Sequence, residues 1–435
     1  MHVSIVGSGY VGTTVAACLA DLGHEVVNVE IDEEIVETIN AGEAPIHESG
    51  LEERIAKHAG ENLRATTDYD AVCETDVTFL CLPTPQADDG SLDLAIMQAG
   101  AESLGRALAA KDDDHLVVVK STVLPGTTED LVGPVLEDHA ETAVGEGIEL
   151  AMNPEFLRMG TAVEDFLEPD KVVVGATNEP ARATLRELYA PILEREDTDL
   201  VETDISEAEL IKYANNAFLA SKVSLVNELG NIAKAYGADA YEVLEAVGLD
   251  DRISAQFMRS GLGWGGSCFP KDVAALRAGA REQEYEPELL DAVVAVNDAQ
   301  PRRLVDLLEQ HVSGEADGSL EGSRIAVLGL SFKPGTDDVR KSRALDVIET
   351  LHERDATVVA YDPVAVENVR PEYPSVEFAG SGSDALEGAD GAVVATDWPE
   401  FDELSFEEMA QRIVVDGRRI DIDESTLEAY EGLTW

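Results

Sequence analysis

The sequence predicts an α/β protein: two Rossmann-like, doubly wound parallel-sheet domains joined by a long central helix and an all-helical middle domain. Three observations carry this prediction. Short β-branched runs alternate with helical stretches from the first residue. From Ile205 to about Tyr236 the pattern is helical without proline or strand signal. Beyond residue 320 the strand–helix alternation resumes.

The elements follow in order. His2–Val6 reads as a strand, 7–12 as a glycine turn, and Val11–Leu22 as a helix stopped by Gly23. Glu25–Glu30, Val77–Leu82, Leu116–Lys120 and Lys171–Gly175 read as further strands of a parallel sheet with both faces covered. Asp204 or Ser206 caps the long helix and Gly237 follows it. Helical segments then cover Ala240–Val247 and much of 271–310. His311–Glu321 is polar and glycine-containing and reads as a linker. A second sheet takes strands Arg324–Leu328, Thr357–Tyr361, Gly391–Ala395 and Ile413–Asp416, with Ala344–Arg354 as a helix. The expected domains are 1–200, 201–310 and 311–435.

With 44% hydrophobic residues in 435, the chain has ample material for several cores. Charge is the outlier: 31 basic against 88 acidic residues leaves a net −57. Such self-repulsion is screened in concentrated salt, where the Debye length falls to about 3 Å at 1 M. The acidic residues are spread through apolar-periodic segments, as expected of a salt-adapted protein. No basic stripe exists to meet nucleic-acid phosphates. Four cysteines, none in a CxxC pair, predict no metal site and a reducing, cytoplasmic setting. No signal-peptide pattern and no run of 18 apolar residues is present, so no membrane association is expected.

Gly7-Ser8-Gly9-Tyr10-Val11-Gly12 is a GxGxxG motif between a strand and a helix. Gly7 permits the tight turn, Gly9 lets backbone approach a pyrophosphate, and Gly12 lets helix and strand pack closely. Glu30 ends the second strand, 18 residues after Gly12. An acid there accepts ribose hydroxyls and repels a 2′-phosphate, which favours NAD over NADP.

The stretch 261–272, GLGWGGSCFPKD, carries four glycines in its first six residues and then Cys268. Pro270 suits a first helical turn. A thiol at a helix N-terminus beside Lys271 gains thiolate character. Asp272 lies one turn on, facing the same way. Cys18, Cys73 and Cys81 read instead as small buried apolar residues. In KYANNAF, Lys212 and Asn216 share a helix face that Asn227 roughly continues, a pairing suited to an oxyanion. Spacing alone leaves Lys212 open between that role and a solvated surface lysine.

These segments together resemble the UDP-glucose/GDP-mannose dehydrogenase family over nearly the whole chain. The resemblance rests on GSGYVG (7–12), LPTP (82–85), KST (120–122), NPEFL (153–157), KYANNAF (212–218), GGSCFPKD (265–272) and GLSFKPGTDDVR (329–340). It implies an NAD-binding domain, a helical dimerisation domain and a nucleotide-sugar domain. It also implies a four-electron oxidation of a sugar hydroxymethyl group through a thiohemiacetal and a thioester on Cys268. Lys212 and Asn216 would stabilise the alkoxide and oxyanion, Asp272 would do acid–base work, and Thr122 and Glu155 would place or activate water. Phe156, Leu157, Arg158, Phe257, Arg259, Gly261 and Lys333 would line the sugar-nucleotide pocket, with Arg252 reaching across a homodimer. Tyr10, Val11, Thr84, Thr122 and Arg340 would touch NAD. Where many relatives carry a second glutamate, this chain has Met159, so Glu155 stands alone. GGSCFPKD looks most like the UDP-glucose branch; GDP-mannose and UDP-N-acetylhexosamine enzymes remain alternatives. Two readings outside the family also remain: a single-step hydroxyacid-type dehydrogenase and a non-catalytic NAD-responsive binding protein.

Overall fold

The computed structural model describes residues 1–313 and 319–435. It divides into two compact units, Met1–Asn215 and Asn216–Trp435, and the 31-residue helix Ile205–Ala235 runs from the first into the second.

The first unit holds an eight-stranded sheet: β1 (His2–Val6), β2 (Glu25–Val29), β3 (Leu63–Thr66), β4 (Val77–Leu80), β5 (His115–Val119), β6 (Ile148–Met152), β7 (Lys171–Ala176) and β8 (Asp199–Thr203). Their order is β3-β2-β1-β4-β5-β6-β7-β8. Successive residues of β5 feed opposite cores. Leu116 and Val118 join a cluster with Val3, Ile5, Val15 and Leu19, whereas Val117 and Val119 join one with Leu80, Met97, Leu104 and Leu136. Period-2 side chains that are apolar on both sides require cover on both faces. The order reverses between β1 and β4, so the GSGYVG turn after β1 opens onto a switch-point crevice.

The sheet departs from expectation in two ways. β7 runs antiparallel to β6, because the chain between them carries only the short helix Ala162–Leu167 and not a full crossover. β3, β6 and β8 carry no clear strand signal. β3 and β8 are edge strands with exposed positions, and β6 (IELAM) has a single β-branched residue.

In the second unit β9 (Arg324–Leu328), β10 (Thr357–Tyr361), β11 (Glu377–Phe378), β12 (Gly391–Val394), β13 (Ile413–Asp416) and β14 (Ala429–Gly432) form a parallel sheet in the order β11-β10-β9-β12-β13-β14. The sheet therefore extends beyond β13, adding β14 at one edge and the two-residue β11 at the other. Helices Ala240–Gly248, Phe269–Glu282 and Glu288–Ser313 stand before it. The expected linker His311–Glu321 is shorter at its start, since His311–Ser313 continue the helix and the Ser313 hydroxyl donates to Glu309 O. Residues 314–318 of that linker lie outside the described residues. The other strands and helices end within two residues of their expected limits.

Candidate active site

The dinucleotide turn is built by what its glycines exclude. Gly7 has φ +98°, and a Cβ there would sit 2.6 Å from Cys81 O. A Cβ on Gly12 would sit 1.9 Å from Gly7 O, so the helix Tyr10–Asp21 packs on the turn only without one. A Cβ on Gly9 would meet open space, on the side where a pyrophosphate needs backbone access. Glu30, just past β2, accepts from the backbone N–H groups of Ser8 (2.7 Å), Ile31 (2.8 Å) and Asp32 (3.2 Å). The Ser8 hydroxyl is buried with no partner among the described residues. An open glycine, an orphaned hydroxyl and a terminal acid fit a dinucleotide. Thr84 donates to Thr122 O (2.9 Å), joining the loops after β4 and β5. Tyr10 and Val11, at the helix start, are half-buried.

Glu155 follows β6 and is 8% exposed; Lys212, on the long helix, is 4% exposed. Their Oε2 and Nζ are 3.6 Å apart, so Lys212 is a buried partner and not a solvated lysine. Glu155 Oε1 is buried with no hydrogen-bond partner among the described residues. The Phe156 ring lies under two ammonium groups, Lys171 at 4.5 Å and Lys212 at 5.5 Å. Leu157 is half-buried, and Arg158 is exposed and paired with Asp165 (2.6 Å).

Buried side chains outside the candidate set hold these loops: Lys120 and Asn153 open the KST and NPEFL motifs, whereas Tyr189, Glu48 and Glu209 stand in none. Asn153 accepts from Lys120 Nζ (2.8 Å) and the Tyr189 hydroxyl (2.6 Å) and donates to Val173 O (2.7 Å). Burial pushes the Lys120 ammonium down to about 8. Buried Glu48 accepts from Gly160 N (2.7 Å), Ala162 N (3.0 Å) and the Tyr10 hydroxyl, tying the end of the Glu155 loop to the glycine turn. Fully buried Glu209 accepts from Gly126 N (2.6 Å) and from Thr128 N (2.9 Å), pinning the loop after Thr122 to the long helix. The signal that could have found Glu209 is an acid on the long helix three residues before Lys212.

In the second unit Cys268 is exposed and caps the helix Phe269–Glu282, with Pro270 in its first turn. Asp272, 2% exposed, donates its N–H to Cys268 O (2.9 Å). Its carboxylate accepts from Asn216 Nδ2 (2.6 Å) and Lys271 Nζ (2.7 Å). Asn216, Asp272 and the helix that starts after Cys268 are thus one cluster. Gly261 donates to Asn227 Oδ1 (2.8 Å). Arg259 lies over the Tyr241 ring at 5.7 Å, and half-buried Lys333 over Phe332 at 5.6 Å. Arg252 and Phe257 stand on an exposed segment where Phe257 has φ +59°, and Arg252 pairs with Asp250 (2.6 Å). Arg340 belongs to this unit, apart from the other cofactor candidates in sequence, and pairs with Asp338 (2.6 Å). Among the described residues no group of three or more His, Cys, Asp or Glu is arranged to hold a metal.

A switch-point glycine turn with a terminal acid, a buried carboxylate–lysine pair and an exposed thiol at a helix N-terminus define a dinucleotide-dependent oxidoreductase. The chain belongs to the UDP-glucose/GDP-mannose dehydrogenase family: its NAD binding domain matches residues 1–193, its central domain 206–299 and its UDP binding domain 326–422. NAD is accordingly the cofactor. The chain is 58% identical to the UDP-glucose 6-dehydrogenase AglM of Haloferax volcanii, with all of both chains covered. It is 36% identical to the UDP-glucose 6-dehydrogenase YwqF of Bacillus subtilis, covering 99% of this chain and 96% of the relative. A UDP-glucose dehydrogenase structure from Pyrobaculum islandicum superposes with a TM-score of 0.93 at 42% identity, covering 100% and 98%. A UDP-D-ManNAc dehydrogenase structure from Pyrococcus horikoshii gives 0.86 at 28%, covering 100% and 99%. No helix among the described residues is long and apolar enough to cross a membrane.

Proposed function

We propose that this chain oxidises the C6 hydroxymethyl of UDP-glucose to a carboxylate: R–CH2OH + 2 NAD+ + H2O gives R–COO−, 2 NADH and protons. The observation that carries this reading is the buried pair of Glu155 and Lys212, matched by the bond from Asn216 on the long helix to Asp272 on the helix that starts after Cys268. NAD, when bound, accepts hydride in each oxidation. The chain's residues do the rest. Asp272, hydrogen-bonded and buried, takes and returns the proton at the alcohol and thiol. The Cys268 thiolate adds to the aldehyde carbon and holds it as a thiohemiacetal, so no aldehyde escapes before the second oxidation. Lys212 and Asn216 stabilise the developing oxyanion. Glu155, whose Oε1 awaits a donor, takes the proton of the water that opens the thioester. Thr122 helps place that water.

Gly7, Gly9, Gly12, Tyr10, Val11, Glu30, Thr84 and Thr122 seat the cofactor, with Arg340 against it. Phe156, Leu157, Arg158, Arg259, Gly261 and Lys333 take the sugar nucleotide. Arg252 reaches it across a homodimer, while Phe257 lines the pocket with them. An apolar stripe on the long helix supports that dimer: Phe218, Leu225, Leu229 and Ile232 are 72%, 56%, 39% and 48% exposed. The division 1–200, 201–310 and 311–435 is our reading of the domains. The cytoplasm is proposed as the location, since none of the four cysteines is in a disulfide.

UDP-glucose is favoured because the Haloferax volcanii relative bears that activity in its name. A UDP-N-acetylhexosamine is the second reading, favoured by the fold shared with the UDP-D-ManNAc enzyme. An NADH-release screen of UDP-glucose, UDP-galactose, GDP-mannose and UDP-N-acetylhexosamines in molar KCl tests the choice. Two NADH per UDP-glucose is the expected result. Turnover confined to another sugar nucleotide overturns the substrate, and one NADH per substrate overturns the four-electron scheme.

A further inference from the structure

The glycine loop that ends at Cys268 is gripped by buried amides. Asn297, fully buried on helix Glu288–Ser313, accepts from Trp264 N (2.8 Å) and donates to Trp264 O (3.0 Å), as a neighbouring strand would. Gln300, on the next turn and also fully buried, donates to Gly261 O (2.8 Å) and accepts from Asn231 Nδ2 (2.8 Å). Asn227 and Ser224, on the long helix, accept from Gly261 N (2.8 Å) and Trp264 Nε1 (3.0 Å). On the loop's other side Leu262 N donates to Gly417 O (3.1 Å) and Gly266 N to Arg340 O (3.0 Å). The fit leaves no room for side chains. A Cβ on Gly263 would sit 2.4 Å from Asn297 Oδ1, and one on Gly265 2.1 Å from Lys341 O. The Trp264 ring then meets Phe269, the residue after Cys268, edge-on at 6.4 Å.

Two amides at zero exposure are a poor choice for a helix–helix core, where leucine desolvates at no penalty. Their return is directional: each bond exists in only one register of the loop. We infer that Asn297 and Gln300 are positioning residues for the nucleophile, fixing the backbone of 261–267 so that Cys268 leaves it at one height and angle on its helix. The inference rests on the reading of Cys268 as the acyl-carrying thiol. It adds the device that aims the thiol. A helix N-terminus stabilises a thiolate only within its first turn, so a loop that drifts changes both reactivity and alignment.

The test is alkylation of Cys268 by iodoacetamide across pH, located by peptide mass, in wild type, Asn297→Ala and Gln300→Ala, with steady-state kinetics on the same samples in molar KCl. Variants that unfold in one cooperative transition and bind NAD like wild type are expected to alkylate Cys268 roughly tenfold more slowly or with a midpoint moved by about one pH unit. Their kcat should fall about 100-fold, the size of effect that a 1 Å misplacement carries, with a smaller rise in KM that is confined to the sugar nucleotide, since Gly261 also meets it. An alkylation profile superimposable on wild type in both variants overturns the inference. Should Asn297→Ala not fold, the comparison on Gln300→Ala decides. If the wild type alkylated at Cys268 still releases two NADH per sugar, the thiol reading itself fails, whatever the variants do.

Discussion

Replacing Glu48 by alanine tests how the first unit joins its cofactor turn to the loop of Glu155. The carboxylate, 6% exposed, accepts Gly160 N, Ala162 N and the Tyr10 hydroxyl. A hydrogen bond to a charged group contributes about 1.5–3 kcal/mol, and a buried donor left without a partner costs about 1–3 kcal/mol. Gly160 is exposed and can turn to water, whereas Ala162 is fully buried and Tyr10 half-buried. Two protected donors and one replaceable one give a loss of about 3–5 kcal/mol for Glu48→Ala. Glu48→Gln keeps the shape and one acceptor oxygen and loses about 1–2 kcal/mol. For a unit of this size the alanine variant should melt about 10 °C lower in scanning calorimetry in molar KCl. Its KM for NAD should rise, because Tyr10 loses its tether to the substrate loop. An alanine variant melting within about 2 °C of wild type, a shift under about 1 kcal/mol, would refute the clamp.

Glu155→Gln should release a burst of two NADH per site and then turn over about 10²-fold or more slowly, as thioester hydrolysis becomes limiting; stopped-flow absorbance without a burst would count against Glu155 as the base. His115, 2% exposed and 2.7 Å from the Thr78 hydroxyl, is pushed down to about 3 by burial and by the Lys111 ammonium. Its folded value lies below the ordinary 6.5, so the unfolded chain takes up the proton first. Stability present above pH 6.5 is therefore lost as pH falls toward 3, by up to about 5 kcal/mol. His115→Gln should flatten that part of an acid-unfolding curve, and an unchanged slope would assign the acid sensitivity elsewhere. Lowering KCl to tens of millimolar should cost structure or activity at a net charge of −57, and full stability in dilute buffer, followed by circular dichroism, would reject salt adaptation.

What the sequence made legible was local. The GSGYVG turn and Glu30 need only one strand, one turn and one helix to be recognised, and the glycines before Cys268 mark a close-packed loop without reference to partners. The edge strands β3 and β8 were not legible, because half-exposed strands carry a diluted apolar pattern. The reversal of β7 depends on what fills the chain between Met152 and Lys171, which periodicity does not report. Lys212 was ambiguous by spacing, and its burial against Glu155 removes the solvated reading. The side chains that hold the site escaped for one reason: their partners are remote in sequence. Glu48 meets Gly160 across 112 residues, Glu209 meets Thr128 across 81, and Asn297 meets Trp264 across 33. An acid in a loop or an amide on a helix has no signature until the fold supplies its donors.

The most direct measurement counts NADH per UDP-glucose consumed, for wild type and Cys268→Ser, alongside NAD affinity for both. The account predicts two for wild type, and for the variant no two-NADH turnover with NAD binding nearly unchanged. A serine variant that still yields two NADH per sugar at the normal rate would contradict it.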